Sequence, residues 1–254
     1  MRVVLSIAAL GVVALSSAEL VAAFGAERTT AESVQNIRSL PHDLVGYGQG
    51  VRGSGFDFMS ETATVQVADH PKLAFTESFT ISLWAFPRSL PGRYSPNSQI
   101  FFRGDDRDGL DPYCLCLRKD GVWHFAINSE KGGNFIQAPA TIGQWSHLVA
   151  SFDAYRGRMR LYVNDELMAQ SFTSETPFSG LDIQWDPGVS IGNVQRTQAN
   201  RHWQPFDGLI DEILVYNDAR AVPSNQAYVT RPPLSQTAPK KLGLFGDVNK
   251  STIP

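Results

Sequence analysis

Between Ala63 and Asn217 the chain repeats one device: a short run in which apolar and polar side chains alternate, followed by a turn. "GQWSHLVASFDAYRGRMRLYVNDELMA", Gly143 to Ala169, shows it twice. Residues two apart on a strand share a face, so Met159, Leu161 and Val163 face one way while Arg160 and Tyr162 face the other. Turn signals recur roughly every eight to twelve residues, with little helical periodicity, which is the spacing of a β-sandwich or barrel. The strands read as Ala63–Ala68, Ser78–Phe86, Ser98–Gly104, Tyr113–Asn128 with a hairpin at Lys119-Asp120-Gly121, Trp145–Asp153, Gly157–Asp165, Glu166–Phe172, Val189–Asn193 and Gly208–Asn217. Asp-Gly is a strong hairpin signal. No exact repeat occurs, which excludes a propeller or solenoid.

The ends read differently. Arg2 is followed by a thirteen-residue, mainly apolar run, Val3 to Leu15, and then by small residues at Ser16–Ala18 and again at Val21–Ala23. Thirteen residues fall short of the ~20 that span a bilayer, so residues 1–23 are expected to be an export signal cleaved near 18 or 23. The protein is then secreted or periplasmic, with no membrane insertion once the signal is gone. Residues 24–53, polar and ending glycine-rich, are expected to be a linker. Residues 54–222 are expected to be the folded domain. Residues 223–254, rich in proline and polar side chains, are expected to be a flexible tail, too poor in apolar surface to offset ordering entropy.

With 22 basic and 25 acidic residues and a net charge of −3, the chain has no basic stripe, and nucleic acid is excluded as a partner. The two cysteines, Cys114 and Cys116, lie two apart on a strand. Their β-carbons are then farther apart than the ~3.8 Å of a disulfide, so both are expected as free, mostly buried thiols.

"FTISLWAFP", "GQWSHLVASFDAYRGRMRLYVNDELMA", "SIGN" and "FDGLIDEILVYNDARA", in that order and with "GFDFMSETATVQVADHPKLAF" upstream, resemble the laminin-G-like (concanavalin A-like) jelly-roll domain. The match runs from Ser54 to Ala221. It implies an all-β fold, a two-sheet antiparallel jelly-roll sandwich. One departure is "NDE" at Asn164–Glu166, where the family usually has glycine after the Asn or Asp; this should change only the turn type. The resemblance also implies a structural calcium ion near the ends of the sandwich, with Asp57 in the opening strand and Asp207 or Asp211 in the closing one as candidate ligands.

The fold hosts lectins, adhesion modules, glycanases and lyases, so function rests on the site. Asp211 and Glu212 are adjacent and point to opposite faces, unlike the same-face carboxylates of a retaining glycanase; Asp211 is expected to satisfy backbone groups. Trp145 and His147 read as framework. The aspartates 105, 106, 108 and 111 form an acidic loop without the EF-hand spacing. The long polar loop Asn193–Gly208 carries a tryptophan that either packs down over the core edge or is left as a platform; on the second reading Arg201, His202, Trp203 and Gln204 are the candidate ligand contacts, an aromatic platform flanked by hydrogen-bonding side chains. Trp185 is a weaker platform of the same kind.

The reading is a secreted, non-catalytic binding module for carbohydrate or a cell-surface or matrix glycoprotein. The alternatives are a glycanase or polysaccharide lyase on the same fold, and a structural or adhesion protein of the envelope or matrix.

Overall fold

The computed structural model describes residues 19–42, 45–92, 95–105, 111–194 and 203–229. Among them, fifteen strands form two antiparallel sheets packed face to face. The strands are β1 (Leu20–Phe24), β2 (Ser39–His42), β3 (Val45–Gln49), β4 (Ser54–Phe58), β5 (Thr64–Ala68), β6 (Phe79–Pro87), β7 (Asn97–Gly104) and β8 (Tyr113–Arg118). They continue as β9 (Val122–Asn128), β10 (Gly133–Pro139), β11 (Ser146–Asp153), β12 (Arg158–Val163), β13 (Glu166–Phe172), β14 (Gly188–Ile191) and β15 (Gly208–Tyr216). One sheet runs β13-β12-β11-β6-β15-β4-β3, with β1 added against β15; the other runs β10-β9-β8-β7-β14-β5-β2. This is the antiparallel sandwich the strand spacing implies.

Alternation fills the space between the sheets. Phe79, Ile81, Leu83 and Ala85 of β6 are fully buried against Leu115, Leu117, Trp123 and Phe125 of the opposite sheet. Phe79 is the centre of an aromatic cluster: its ring lies 4.9 Å from Phe75 and from Tyr113, 6.0 Å from Phe125 and 6.1 Å from Phe152. Each such ring contributes about 2–3 kcal/mol by burial. The Tyr113 hydroxyl donates to the Leu73 carbonyl at 2.7 Å, so the one polar atom of that ring is satisfied.

The ends of the chain correct the sequence reading. Residues 24–53, expected as a linker, end β1 and carry β2 and β3. Leu20–Phe24 pairs with Phe24 opposite Ile213 and Leu20 opposite Tyr216. Val21, Ala22 and Phe24 belong to the main core. The following loop is held by Glu32, whose buried carboxylate accepts from the N–H groups of Ala23, Val34, Gln35 and Ile37 at 2.7–3.2 Å. A polar segment is ordered here because one carboxylate gathers its backbone donors. At the other end, residues 223–229, expected as tail, pack as a strap. Val222 and Ala227 cover Val149, and Val229 packs on Ala23 and Leu214. Residues 1–18, most of the expected signal, and 230–254, most of the expected tail, lie outside the described residues.

The Asn164-Asp165 turn shows why glycine is not required there. Both residues have positive φ, 51° and 71°, the two-residue hairpin geometry that suits a right-twisted ribbon. Asn and Asp tolerate that region, and an aspartate adds a carboxylate that glycine lacks.

Candidate functional site

Alternation leaves an outward face on the seven-stranded sheet. With Tyr113, Leu115 and Leu117 turned inward, β8 presents Cys114, Cys116 and Arg118 outward; with Trp123, Phe125 and Ile127 inward, β9 presents His124, Ala126 and Asn128. Register aligns these side chains in two rows across the strands. Phe102, Cys114, Ala126 and Phe135 form one; Gln99, Cys116, His124 and Gln137 form the other. A bulge in β7 between Gln99 and Phe101 lets both Gln99 and Phe102 join that face.

Small side chains at Ala126 and Gly133 leave a depression of about 400 Å³ between larger neighbours, within the size range of small-ligand sites. Gly133 is needed, because a β-carbon there would collide with Asn128 Oδ1. Asn97, Gln99, Asn128, Asn134 and Gln204 bring amides to the walls, and Phe102, Cys114 and Phe135 bring apolar surface. The Phe135 ring is 55% exposed and stacks on His124, with centroids 4.8 Å apart at 29°. Gln137 Nε2 lies 3.3 Å from His124 Nδ1 and holds the imidazole. Burial, then the nearby Arg118, pushes the His124 pKa down to about 4, so the ring is neutral at pH 7. Two neutral flat rings, one exposed, make a platform backed by amides.

Gln204 forms the wall on the β7 side. Its N–H donates to Asn193 Oδ1 and its carbonyl accepts from Gln99 N–H, both at 2.9 Å. The side chains meet as well, Gln99 Nε2 to Gln204 Oε1 at 2.8 Å. Of the four residues expected as ligand contacts, Gln204 therefore lines the depression. Trp203 is half-buried beside it and does not line it, and Arg201 and His202 lie outside the described residues. Trp185, 38% exposed, sits in the short 3-10 turn Ile183–Trp185, apart from the depression. His124 and Phe135 are the residues that the sequence reading missed. The signal for His124 was present in "VWHFAIN": with Trp and Phe turned inward, His and Ala must face out.

Cys114 and Cys116 are free thiols, half-buried and buried, as expected. Hydrogen bonding to Cys114 and burial push the Cys116 thiol well up, so it stays protonated.

The carboxylates expected around calcium divide into two places. Asp57 and Asp207 face each other across Arg88, whose guanidinium lies 2.5 Å from Asp57 Oδ1 and 3.4 Å from Asp207 Oδ1. Burial alone would lower the Arg88 pKa, but the two carboxylates outweigh it and push it up. Asp211 is buried elsewhere, with Oδ1 accepting from Glu212 N–H and Oδ2 from Arg52 N–H. This is the backbone-satisfying role expected of it. Glu212 sits at positive φ in the β15 bulge and accepts from Val229 N–H. Among the described residues, no group of three His, Cys, Asp or Glu side chains is arranged to hold a metal. Of the acidic loop, Asp105 accepts from Asp182 N–H at 2.9 Å, Asp111 lines the depression, and Asp106 and Asp108 lie outside the described residues.

On the outer face of the other sheet, His147 is fully buried. Its Nε2 lies 3.0 Å from Ser82 Oγ, its Nδ1 lies 3.6 Å from Asp165 Oδ1, and its ring packs against Trp84 with centroids 5.0 Å apart and planes tilted by 33°. Burial pushes its pKa down to about 4 against the pull of Asp165.

The fold recurs in solved structures. Domain 4 of AbnA, an extracellular arabinanase from Geobacillus stearothermophilus, solved in complex with arabinotriose, superposes with a TM-score of 0.58 at 20% identity, over 80% of this chain and 95% of that one. The binding domain of botulinum neurotoxin DC, solved in complex with SialylT, gives 0.59 at 14% identity over 80% of this chain and 48% of that one. The binding domain of Paraclostridial Mosquitocidal Protein 1 gives 0.59 at 14% identity over 80% and 49%. The chain thus spans about half the length of the two toxin binding domains. At these identities the likeness is one of fold. No curated protein sequence matches the chain at a significant level. A laminin G-like family model matches residues 59–224, about two thirds of the sequence. The two-sheet sandwich agrees with that match, and the chain belongs to the concanavalin A-like lectin/glucanases superfamily.

Proposed function

We propose that this protein is an exported, non-catalytic carbohydrate-binding module, and that it binds through the outward face of the seven-stranded sheet. One observation carries the reading: the exposed Phe135 ring stacks on a neutral imidazole beside an amide-lined depression. Sugar rings present C–H edges to an aromatic face and hydroxyls to amides, so a platform with amides around it suits them. Solved structures of similar fold include domains in complex with arabinotriose and with SialylT, which is in keeping with this use of the sandwich. The non-catalytic reading draws support from Asp211 and Glu212, whose carboxylates are committed to backbone N–H groups.

The test is a glycan array followed by calorimetry on the best ligand, with Phe135→Ala as the variant. Removal of the platform should weaken binding by about 1–3 kcal/mol, the range for an aromatic stacking contact, and leave the melting temperature near that of the parent, because the ring is exposed. Absence of any glycan ligand would sink the proposal.

Export draws on the apolar run Val3–Leu15 with small residues after it. Cleavage after Ala18 keeps β1 whole, whereas cleavage after Ala23 removes a strand that pairs with β15.

A further inference from the structure

We propose that Arg88 is a built-in cation that takes the place of calcium at the rim where β4 and β6 end and β15 begins, so that the sandwich needs no metal there. The family resemblance implies a calcium ion at such a rim, held by Asp57 with Asp207 or Asp211. Register brings the first two together. Leu209 of β15 pairs with Asp57 of β4 on one side and with Phe86 of β6 on the other. Just beyond β6, the Arg88 N–H donates to the Asp207 carbonyl at 2.9 Å. The backbone thus sets the arginine between the two aspartates.

The guanidinium engages the oxygens that a metal would need. Its Nη2 lies 2.5 Å from Asp57 Oδ1, and its Nη1 lies 3.4 Å from both Asp207 Oδ1 and the Phe58 carbonyl oxygen. The Ser89 hydroxyl donates to the other Asp207 oxygen at 2.7 Å. Neighbouring carboxylates repel unless a cation stands between them. Here that cation belongs to the chain, and an arginine keeps its charge at any ordinary pH. It bridges the end of β4, the end of β6 and the start of β15.

Calcium does not fit this set. It takes about six to eight oxygens at ~2.3–2.6 Å. Among the described residues, three oxygens face the guanidinium, and a fixed positive charge stands in their midst. Asp211, the other carboxylate implied as a ligand, is turned to the N–H groups of Arg52 and Glu212 instead. A divalent ion could enter only by expelling Arg88 from both aspartates.

The experiment is thermal melting of the full chain in calcium and in chelator, for the parent and for Asp57→Asn. The quantity read is the calcium shift of the parent minus that of the variant, so calcium held elsewhere on the chain cancels. That difference should be nil. A stabilisation by calcium that Asp57→Asn removes overturns the proposal, because the metal has then displaced the arginine. A second arm tests the arginine itself. Arg88→Gln leaves two carboxylates facing each other and should lower the melting temperature by about 2–4 °C at low salt. Adding Asp207→Asn to it should restore part of that loss, and 1 M NaCl should shrink it, since Arg88 and Asp207 keep solvent contact. An Arg88→Gln protein that melts with the parent at low salt overturns the proposal as well. The calcium arm needs no Arg88 variant, so it decides the matter even if Arg88→Gln fails to fold.

Discussion

Asp165 accepts from both the N–H and the hydroxyl of Ser224, at 2.7 and 2.6 Å, and so ties the β12–β13 turn to the C-terminal strap. The same carboxylate faces His147 Nδ1. Those hydrogen bonds, those from Ser224 first, hold its pKa below the usual carboxylate value. The family's glycine would form this turn with less backbone strain but could make none of these contacts. Asp165→Gly should therefore lose about 1 kcal/mol net, the hydrogen bonds outweighing the easier turn. Hydrogen exchange should speed up at residues 222–229 while the β11–β12 pairing stays protected. An unchanged strap would show that Asp165 does not anchor it.

His124 and His147 give the fold an acid dependence. Each has its pKa pushed from the ordinary 6.5 to about 4 by burial. Above pH 6.5 neither state is protonated, and nothing is lost. As pH falls below 6.5 the unfolded chain takes up protons that the folded one refuses, so stability declines until about pH 4. For His147, fully buried, the loss across that window is on the order of 3 kcal/mol; for His124, which keeps some solvent contact, it is smaller. Urea denaturation at pH 7, 5.5 and 4.5 should show the decline, and His147→Gln should flatten it whatever its effect at pH 7. A flat profile in the parent protein would contradict the burial argument.

Glu32→Ala tests the N-terminal segment. The variant deprives four backbone N–H groups of their acceptor, two of them, on Ala23 and Ile37, buried. Unsatisfied buried donors cost about 1–3 kcal/mol each when water cannot reach them; with the loop free to relax, a total of about 3 kcal/mol is expected. Chemical denaturation measures it, and a change under 0.5 kcal/mol, the size usual for a neutral surface substitution, would mean that the segment is not part of the cooperative unit.

On the export reading proposed above, N-terminal sequencing of the mature chain should begin at Glu19. Its backbone N–H then donates to Asn217 Oδ1 at 2.7 Å, and its side chain meets Lys72 at 3.1 Å. A mature chain beginning at Phe24 would lack most of β1.

What could be read in advance followed from pattern. In β6 Phe79, Ile81, Leu83 and Ala85 recur at every second residue, as Met159 and Leu161 do in β12, and the core takes them all. β10 escaped because Phe135 and Ile136 are adjacent apolar residues. One is buried and the other exposed, so the period of two is masked there. β1 escaped because its apolar residues continue the composition of the apolar run Val3–Leu15. The ordered loop at residues 25–38 escaped because a glutamate that collects four amide donors has no signature beyond a lone acid in a polar stretch. Gln204 was legible as part of a polar loop; its partner Gln99 was hidden inside a strand by the β7 bulge.

The last strand serves both ends of the chain. At the Asp211–Leu214 bulge, β15 exchanges one neighbour for another: before it Ile210 pairs with Phe56, and after it Ile213 pairs with Phe24. Leu20–Phe24 thus has no hydrogen-bonding mate until nearly two hundred further residues have followed. Such long-range pairing slows folding. The eight-stranded sheet is therefore completed only when β15 is in place between β6 and its partners β1 and β4.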